Sequence, residues 1–513
     1  MPGFPYTMRS PLRRPRRLIQ PALALVLALA TILPAGLVAD GTAVRAATVI
    51  RPRITGIAPL SKEVYGYLPY WRIDATTVDR IQYELVSTIA IFGIGIKADG
   101  SLDTTQPGYI DYVGDDVAAI TNAAHDKGVR VVPTFQLFDS GSLTKMRAFL
   151  ASPTAQATFI GQALDLMAAR QADGANLDFE PMLNEDAASY LAFVARLRTA
   201  MLARFPTAQL VNATSAGAGK ELIVGLVPLV DRQMIMTYGY RNSSSTVAGA
   251  VAPLDNTTRT VKAHITRILQ WAPAKTVLLG EPYYGYDWPV TANVPNATVQ
   301  SNKTTFGPAT SITYSAARAF LAAHPEVTRQ YDAVEGSAFY TYWDSVKATW
   351  RQAYFDDERS LGDKDDYALT TGLAGIGIWT LDNDRGYTEL WDLLRNKFYA
   401  PVHSVTVTAR VTNVASRSGY VEAIVHYGGR NVGTVPERGT WIWTIRDASG
   451  KIWLSGRGLT ETIYPGKAIG HATKVRIGLA SKLPAGTYLI RARFERVPGS
   501  YFRSPDVGFR QPY

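Results

Sequence analysis

The stretch of this 513-residue chain whose side chains are spaced for proton chemistry is Asp173-Gly174-Ala175-Asn176-Leu177-Asp178-Phe179-Glu180. Its alternation is that of a strand, whose successive side chains leave on opposite faces: Ala175, Leu177 and Phe179 are apolar, whereas Asn176, Asp178 and Glu180 are polar. The polar face is the anomaly. The run sits between two stretches with helical apolar periodicity, and a strand in that position normally belongs to a parallel sheet covered on both sides, with near-continuous apolar sequence. Carboxylates there are costly unless paired or put to use. On one strand face, residues two apart have Cα atoms about 7 Å from each other, so Asp178 and Glu180 disfavour ionising together and one of them holds a proton near neutral pH. General acid catalysis requires such a group. The competing reading of an isolated Asp-x-Glu is a structural ion-pair or capping cluster.

Other chemistries find less support. There is no cysteine, which excludes disulfides and thiolate metal sites. The six histidines (125, 264, 324, 403, 426 and 471) show no ligand spacing, so neither a zinc site nor a Ser-His-Asp triad is supported. Gly93-Ile94-Gly95 imitates a dinucleotide fingerprint, but turn sequence follows where a helix should open. The acidic run 356–358, with Asp382 and Asp384, lacks calcium-loop spacing and reads as helix caps and loop linings. No cofactor and no metal is expected, and no nucleic-acid motif is present.

The elements that must position the acidic strand alternate between strand-like and helix-like patterns, which predicts parallel α/β architecture. Strands are expected at 64–68, 86–92, 129–135, through the central run, and at 209–213, 235–238, 276–279 and 375–380. A helix over about 115–127 ends at Gly128, another starts at Ser152-Pro153, and 185–205 carries an apolar stripe at Leu191, Val194, Leu197, Met201 and Leu202. Eight strands with intervening helices make a (β/α)8 TIM barrel. The gap between the last two strands is too long for a simple loop, and a small α+β insertion is expected at about 286–367.

The central octet resembles the glycoside hydrolase family 18 signature, Asp-Gly-x-Asp-x-Asp-x-Glu at the end of the fourth barrel strand. Asp173, Gly174, Asp178 and Glu180 match, and Asn176 replaces the first carboxylate of the triad, as in the branch that includes spore-cortex and peptidoglycan hydrolases. Met234-Ile235-Met236-Thr237-Tyr238 is similar to the sixth-strand motif, with Gly239 replacing an acidic or amide residue. Gly280-Glu281-Pro282-Tyr283-Tyr284-Gly285 is similar to the seventh-strand motif, and Gly372 to Trp379 to the eighth. The third-strand Ser-x-Gly-Gly of typical chitinases is missing, and Pro133-Thr134-Phe135-Gln136 stands in its place. The resemblance implies substrate-assisted retaining hydrolysis of a β-linked N-acetylhexosamine polymer of the chitin or peptidoglycan type. By the same resemblance Glu180 is the general acid, Asp178 orients the substrate acetamido group and Tyr238 binds its oxygen. Asn176 is expected to hold Asp178 by a hydrogen bond and, with Trp379, Tyr67, Phe92 and Tyr284, to form the substrate-binding set, Trp379 flooring the sugar subsite on the non-reducing side of the cleaved bond. The alternative is a lectin that keeps the cleft without turnover.

The ends of the chain have other tasks. Residues 1–46 combine an arginine-rich start, an apolar run from Leu18 to about Ala39 and small residues before Ala46, the pattern of a secretory signal peptide or an uncleaved anchor. Either makes the protein extracellular or cell-surface. Residues 47–62 read as a linker and 63–400 as the barrel domain. Residues 401–513 show short alternating runs and turn clusters, as in a β-sandwich accessory domain. That last segment carries 16 basic against six acidic side chains within a net charge of +10, which suits an anionic cell-wall polymer. Its Trp441, Trp443 and Trp453 are expected in the sandwich core rather than on a sugar-stacking face. A monomer is expected.

Overall fold

The computed structural model describes residues 48–55, 60–139, 141–255, 259–399, 404–433, 436–497 and 500–510. The expected signal peptide, 1–46, lies outside the described residues. Eight parallel strands close a barrel: β1 (Glu63–Pro69), β2 (Thr88–Gly95), β3 (Arg130–Phe138), β4 (Gly174–Glu180), β5 (Gln209–Ser215), β6 (Arg232–Met236), β7 (Val277–Pro282) and, after an insertion, β13 (Gly375–Trp379), which pairs with both β7 and β1. This is the (β/α)8 TIM barrel that the strand pattern predicts. The sixth strand runs earlier than expected and ends at Met236, so Tyr238 stands just past the strand, where the chain turns at Gly239 with φ +76°.

Alternation along each strand divides the core in two. Ala175, Leu177 and Phe179 of β4 face outward and join the apolar layer beneath the helices, with Phe149, Phe159, Tyr190 and Phe193 around them. Inward residues such as Tyr65, Tyr67, Ala90, Val132, Val211, Met234 and Leu278 fill the lumen. The barrel is a packed core whose only route to chemistry is the C-terminal mouth of its strands.

The insertion between β7 and β13 is an antiparallel sheet in the order β10-β11-β12-β8-β9, formed by β8 (Tyr284–Val290), β9 (Thr310–Thr313), β10 (Gln330–Asp332), β11 (Ser337–Asp344) and β12 (Thr349–Phe355), with a helix over Tyr314–Ala323. Its sheet ends at Phe355, short of the expected limit near 367. The residues between belong to a barrel helix, Glu358–Thr370, which Asp357 caps by accepting the Arg359 and Ser360 N–H groups.

Residues 48–55, expected within a linker, have no regular structure but are fastened to the barrel. The Arg51 N–H donates to Asn122 Oδ1 (2.7 Å), the Ile54 N–H to the His125 carbonyl (3.1 Å), and Arg53 Nε to Asp173 Oδ1 (2.8 Å). The C-terminal region is two antiparallel sheets. One has the order β14-β15-β18 (Val405–Arg417, Tyr420–Asn431, Ala468–Leu479); the other is β17-β16-β19 (Ile452–Ile463, Glu437–Asp447, Thr487–Val497) with β20 (Ser500–Arg503) and β21 (Val507–Arg510) on β19. Val405, Val407, Ala409, Val425, Ile445, Ile490 and Phe494 make their shared core, and Trp441 and Trp443 are buried in it. Trp453 packs at its edge, with Nε1 donating to Asp447 Oδ2 (2.8 Å). Among the described residues no helix is long and apolar enough to cross a membrane.

Candidate active site

The side chains that could do chemistry meet at the barrel mouth, and β4 supplies the centre. Its two carboxyls, Asp178 and Glu180, are hydrogen-bonded to each other. Burial pushes the Asp178 carboxyl well above the usual range, and the neighbouring Glu180 charge pushes it further. Burial raises Glu180 to about 6, although the hydrogen bond from Asp178 opposes the rise. The pair therefore retains one proton where isolated carboxyls would have lost both. Asp178 Oδ1 is buried with no partner, an acceptor left available at the bottom of the mouth. The end of β4 is anchored on β3, since the Asp139 N–H donates to the Glu180 carbonyl (3.0 Å) and Phe138 stands in register with Glu180.

Asn176 has a different task from the one expected. Its Oδ1 accepts from the Tyr67 hydroxyl (3.1 Å) and its Nδ2 donates to Thr134 Oγ1 (3.4 Å); no bond from it reaches Asp178. Asn176 is 0% and Tyr67 1% exposed, so both lie beneath the cleft, where they tie β1, β3 and β4 together. Replacing the carboxylate by an amide suits that position, because a third ionisable acid in a dry lumen would add to a charge the pair already resists.

The aromatic surface is built on Trp379 at the end of β13. Its ring lies 4.8 Å from that of Phe92 and 5.6 Å from that of Tyr67, and Trp71 follows at 6.5 Å. Phe92 also meets Trp71 (5.8 Å) and Phe138 (6.1 Å). Trp71 and Phe138 are 41% and 44% exposed, large apolar faces turned to solvent beside the buried carboxyls. Neither belongs to the expected site. Their exposure depends on how the β1 and β3 ends open onto the mouth, and no local pattern announces it. On the other side, Tyr238 and Tyr284 are edge-to-face at 6.3 Å. Gly280 makes room for this pair, since a Cβ there would run into the Ile235 carbonyl and the Tyr238 ring.

The first aspartate of the octet lies at the opposite end of β4. Asp173 accepts from Arg53 Nε (2.8 Å) and the Val131 N–H (2.9 Å) and lies 2.9 Å from His125 Nε2, a clamp at the barrel bottom. Asp356, Asp382 and Asp384, weighed above as calcium candidates, also have structural partners. Asp382 holds Arg80 through two bonds of 2.6 and 2.9 Å, Asp384 accepts Trp391 Nε1 (2.8 Å), and Asp356 is ion-paired with Lys364 (2.9 Å) in full burial. Among the described residues no group of three or more His, Asp or Glu is placed to hold a metal ion.

A closed parallel barrel with a proton-sharing carboxyl pair at the C-terminal end of its fourth strand and tryptophan at the end of its last strand defines a glycosidase-type site. The family model described as glycosyl hydrolases family 18 matches residues 64–384, and the chain belongs to that family. It is a glycoside hydrolase by that membership. It is 26% identical to the di-N-acetylchitobiase of Mus musculus over 310 residues, which cover 57% of this chain and 81% of the relative. It is 22% identical to the cortical fragment-lytic enzyme of Bacillus anthracis over 320 residues, 60% of this chain and 67% of the relative. The group IV chitinase of Ostrinia furnacalis shares the fold, with a TM-score of 0.57 at 19% identity over 65% of this chain and 98% of that one.

Proposed function

We propose that the protein is an exported retaining glycosidase that cleaves β-linked N-acetylhexosamine polymers of the chitin or peptidoglycan type with help from the substrate's own acetamido group. The observation that carries the reading is the buried Asp178–Glu180 pair sharing one proton at the end of β4. Glu180 protonates the glycosidic oxygen as the bond breaks and, once ionised, activates water for the second step. Asp178 orients the acetamido N–H and balances the positive charge of the cyclic intermediate, and Tyr238 binds the acetamido oxygen. No second protein carboxylate is needed as nucleophile. Trp379 and the exposed Trp71 and Phe138 offer faces on which pyranose rings stack. The names of the relatives, a chitobiase and a cortex-lytic enzyme, support an N-acetylglucosamine-containing substrate. A lectin has no use for a shared proton in a dry pocket, so the carboxyl pair favours turnover.

The basic C-terminal domain supports retention on an anionic wall polymer. Arg410 and Arg430 are exposed on the outer face of the β14-β15-β18 sheet, in register rows that flank Gly428 and Gly470. Purified protein offered chitin oligosaccharides and peptidoglycan, with products identified by mass and by NMR of the first anomer formed, tests the central reading. Initial β-product from either polymer is expected, and initial α-product overturns the mechanism. The mass of the mature protein recovered outside the cell tests export.

A further inference from the structure

The two outer faces of the C-terminal sandwich balance their charges differently. On the β14-β15-β18 sheet, Glu422 holds Lys474 and Arg476, each at 3.0 Å. On the other sheet, Trp441, Trp443 and Ile445 of β16 and Ile490, Ala492 and Phe494 of β19 belong to the core, so alternation turns Ile442, Arg446, Arg491 and Arg493 outward. Register places Arg457 of β17 opposite Ile442, Arg503 of β20 opposite Arg493, and Arg510 of β21 opposite Thr487. Six arginines therefore share this face, and the strands of the sheet contain no lysine.

Asp506 answers two of them, accepting Nε of Arg491 at 2.9 Å and pairing with Arg446. The row Arg457-Ile442-Arg493-Arg503, which crosses four strands, lacks a partner so placed. The acid that approaches it among the described residues is Glu495, 3.6 Å from Arg493 and 3.9 Å from Arg457, both beyond hydrogen-bond reach. Arg503 is exposed and makes no hydrogen bond or ion pair among the described residues. It also stands directly opposite Arg493 on the neighbouring antiparallel strand, where like charges destabilise a sheet. Three guanidinium groups thus share one loosely held carboxylate, and an anion lying across the strands would relieve their repulsion.

The layout indicates the kind of anion. The row covers three strand spacings, about 14 Å, so its ligand must carry charge repeatedly along its length. A polymer with a phosphodiester in every linkage does so, and each guanidinium fork matches two phosphate oxygens. A glycan whose acids hang from some of its sugars presents charge only at those side groups. Nucleic acid fits less well, because the strands of this sheet contain no asparagine or glutamine to read base edges. The Tyr501 ring, which could stack on a base, lies under the Arg493 guanidinium at 5.4 Å.

We propose that the outer face of the β17-β16-β19-β20 sheet docks a linear cell-envelope polymer of polyol units joined by phosphodiesters, laid across the strands along Arg457, Arg493 and Arg503. The assignment rests on the reading of the C-terminal domain as a retention module, and places the contact on the sheet opposite Arg410 and Arg430.

The test measures calorimetric binding of poly(glycerol phosphate), polygalacturonate and single-stranded DNA to the full chain. The proteins are wild type, the triple variant Arg457→Gln/Arg493→Gln/Arg503→Gln, Arg503→Gln alone, and Arg410→Gln/Arg430→Gln. Wild type should prefer poly(glycerol phosphate), and the triple variant should bind it about 10- to 100-fold more weakly. Its slope of log affinity on log salt should be shallower by about 2, for three lost phosphate contacts at about 0.7 each. Arg503→Gln should bind more weakly without a lower denaturation midpoint, since it removes a repulsion. Unchanged binding in the triple variant, a larger loss in Arg410→Gln/Arg430→Gln, or a lowered midpoint in Arg503→Gln overturns the assignment while leaving the retention reading in place. Equal or tighter binding of polygalacturonate or DNA overturns the choice of partner. If wild type binds none of the three, the assignment and the retention reading fail together, and the hydrolase reading is untouched.

Discussion

Replacing Glu180 by glutamine tests the central chemistry, because the amide keeps the shape of the side chain and removes its proton. Burial raises the Glu180 carboxyl to about 6, so more of its acid form survives near neutral pH than an ordinary glutamic acid would keep. A positioned general acid contributes about 10²- to 10⁴-fold, so Glu180→Gln should lower kcat on unactivated oligosaccharides by that factor, about 3–5 kcal/mol of barrier. The assay is initial-rate hydrolysis from about pH 4 to 9, with calorimetric binding of the same oligosaccharide in parallel. Wild-type activity should fall about tenfold per pH unit above the Glu180 value, and that limb should be absent from the residual activity of the variant. Binding should persist, since Trp379 and the other aromatics are untouched. Retention of more than about one tenth of the wild-type rate, or the same alkaline limb in the variant, would refute the assignment of the acid.

The remaining predictions concern the supports of the site. Asn176→Leu leaves the buried Tyr67 hydroxyl and Thr134 without their partner, and should destabilise the fold by about 1–3 kcal/mol, read from chemical denaturation. Asp173→Asn should weaken the barrel bottom while leaving kcat within about twofold, because the clamp is remote from the mouth. Asp173 also predicts a pH effect. Burial opposes its ionisation, but hydrogen bonds from His125, Val131 and Arg53 outweigh it, and its pKa lies below the usual value. Its contribution is therefore present above the unfolded pKa of about 3.9 and lost as pH falls through the folded value, so in acid denaturation the gap between wild type and Asp173→Asn should narrow below about pH 4. Lys364→Met removes the cation paired with Asp356, behind β7 where Glu281 and Asp365 are also buried and raised in pKa. The loss should be about 3–5 kcal/mol, measured by thermal and denaturant unfolding, and a loss below about 1 kcal/mol would show that the charge is not needed there.

How much of this could be read from the residues alone follows from the range of each interaction. The barrel and β4 were legible because a period of two is a local property: Ala175, Leu177 and Phe179 must share a face wherever the strand ends up, and Asn176, Asp178 and Glu180 must share the other. The carboxyl pair was legible for the same reason, since two residues on one strand carry their proximity with them. The partners of Asn176 were not. Tyr67 and Thr134 come from β1 and β3, more than forty residues away along the chain in either case, and only closure of the barrel brings them to one amide. Asp173 shows the converse. It shares the octet with Glu180, yet seven residues of extended chain span roughly 23 Å, so one motif necessarily reaches from the structural floor of the barrel to its chemical mouth. The insertion's end was misplaced because residues 356–367 are acidic and weakly apolar, and packing behind β7 makes them a barrel helix through a buried Lys364–Asp356 pair. Trp71 and Phe138 were missed for the opposite reason to Asn176: an exposed aromatic is ordinary in any sequence, and acquires meaning only when the fold sets it beside a buried acid. The carboxyl pair is thus encoded within β4, while the aromatic faces beside it come from the ends of β2, β3 and β13 and the turn after β1, which only closure of the barrel brings together.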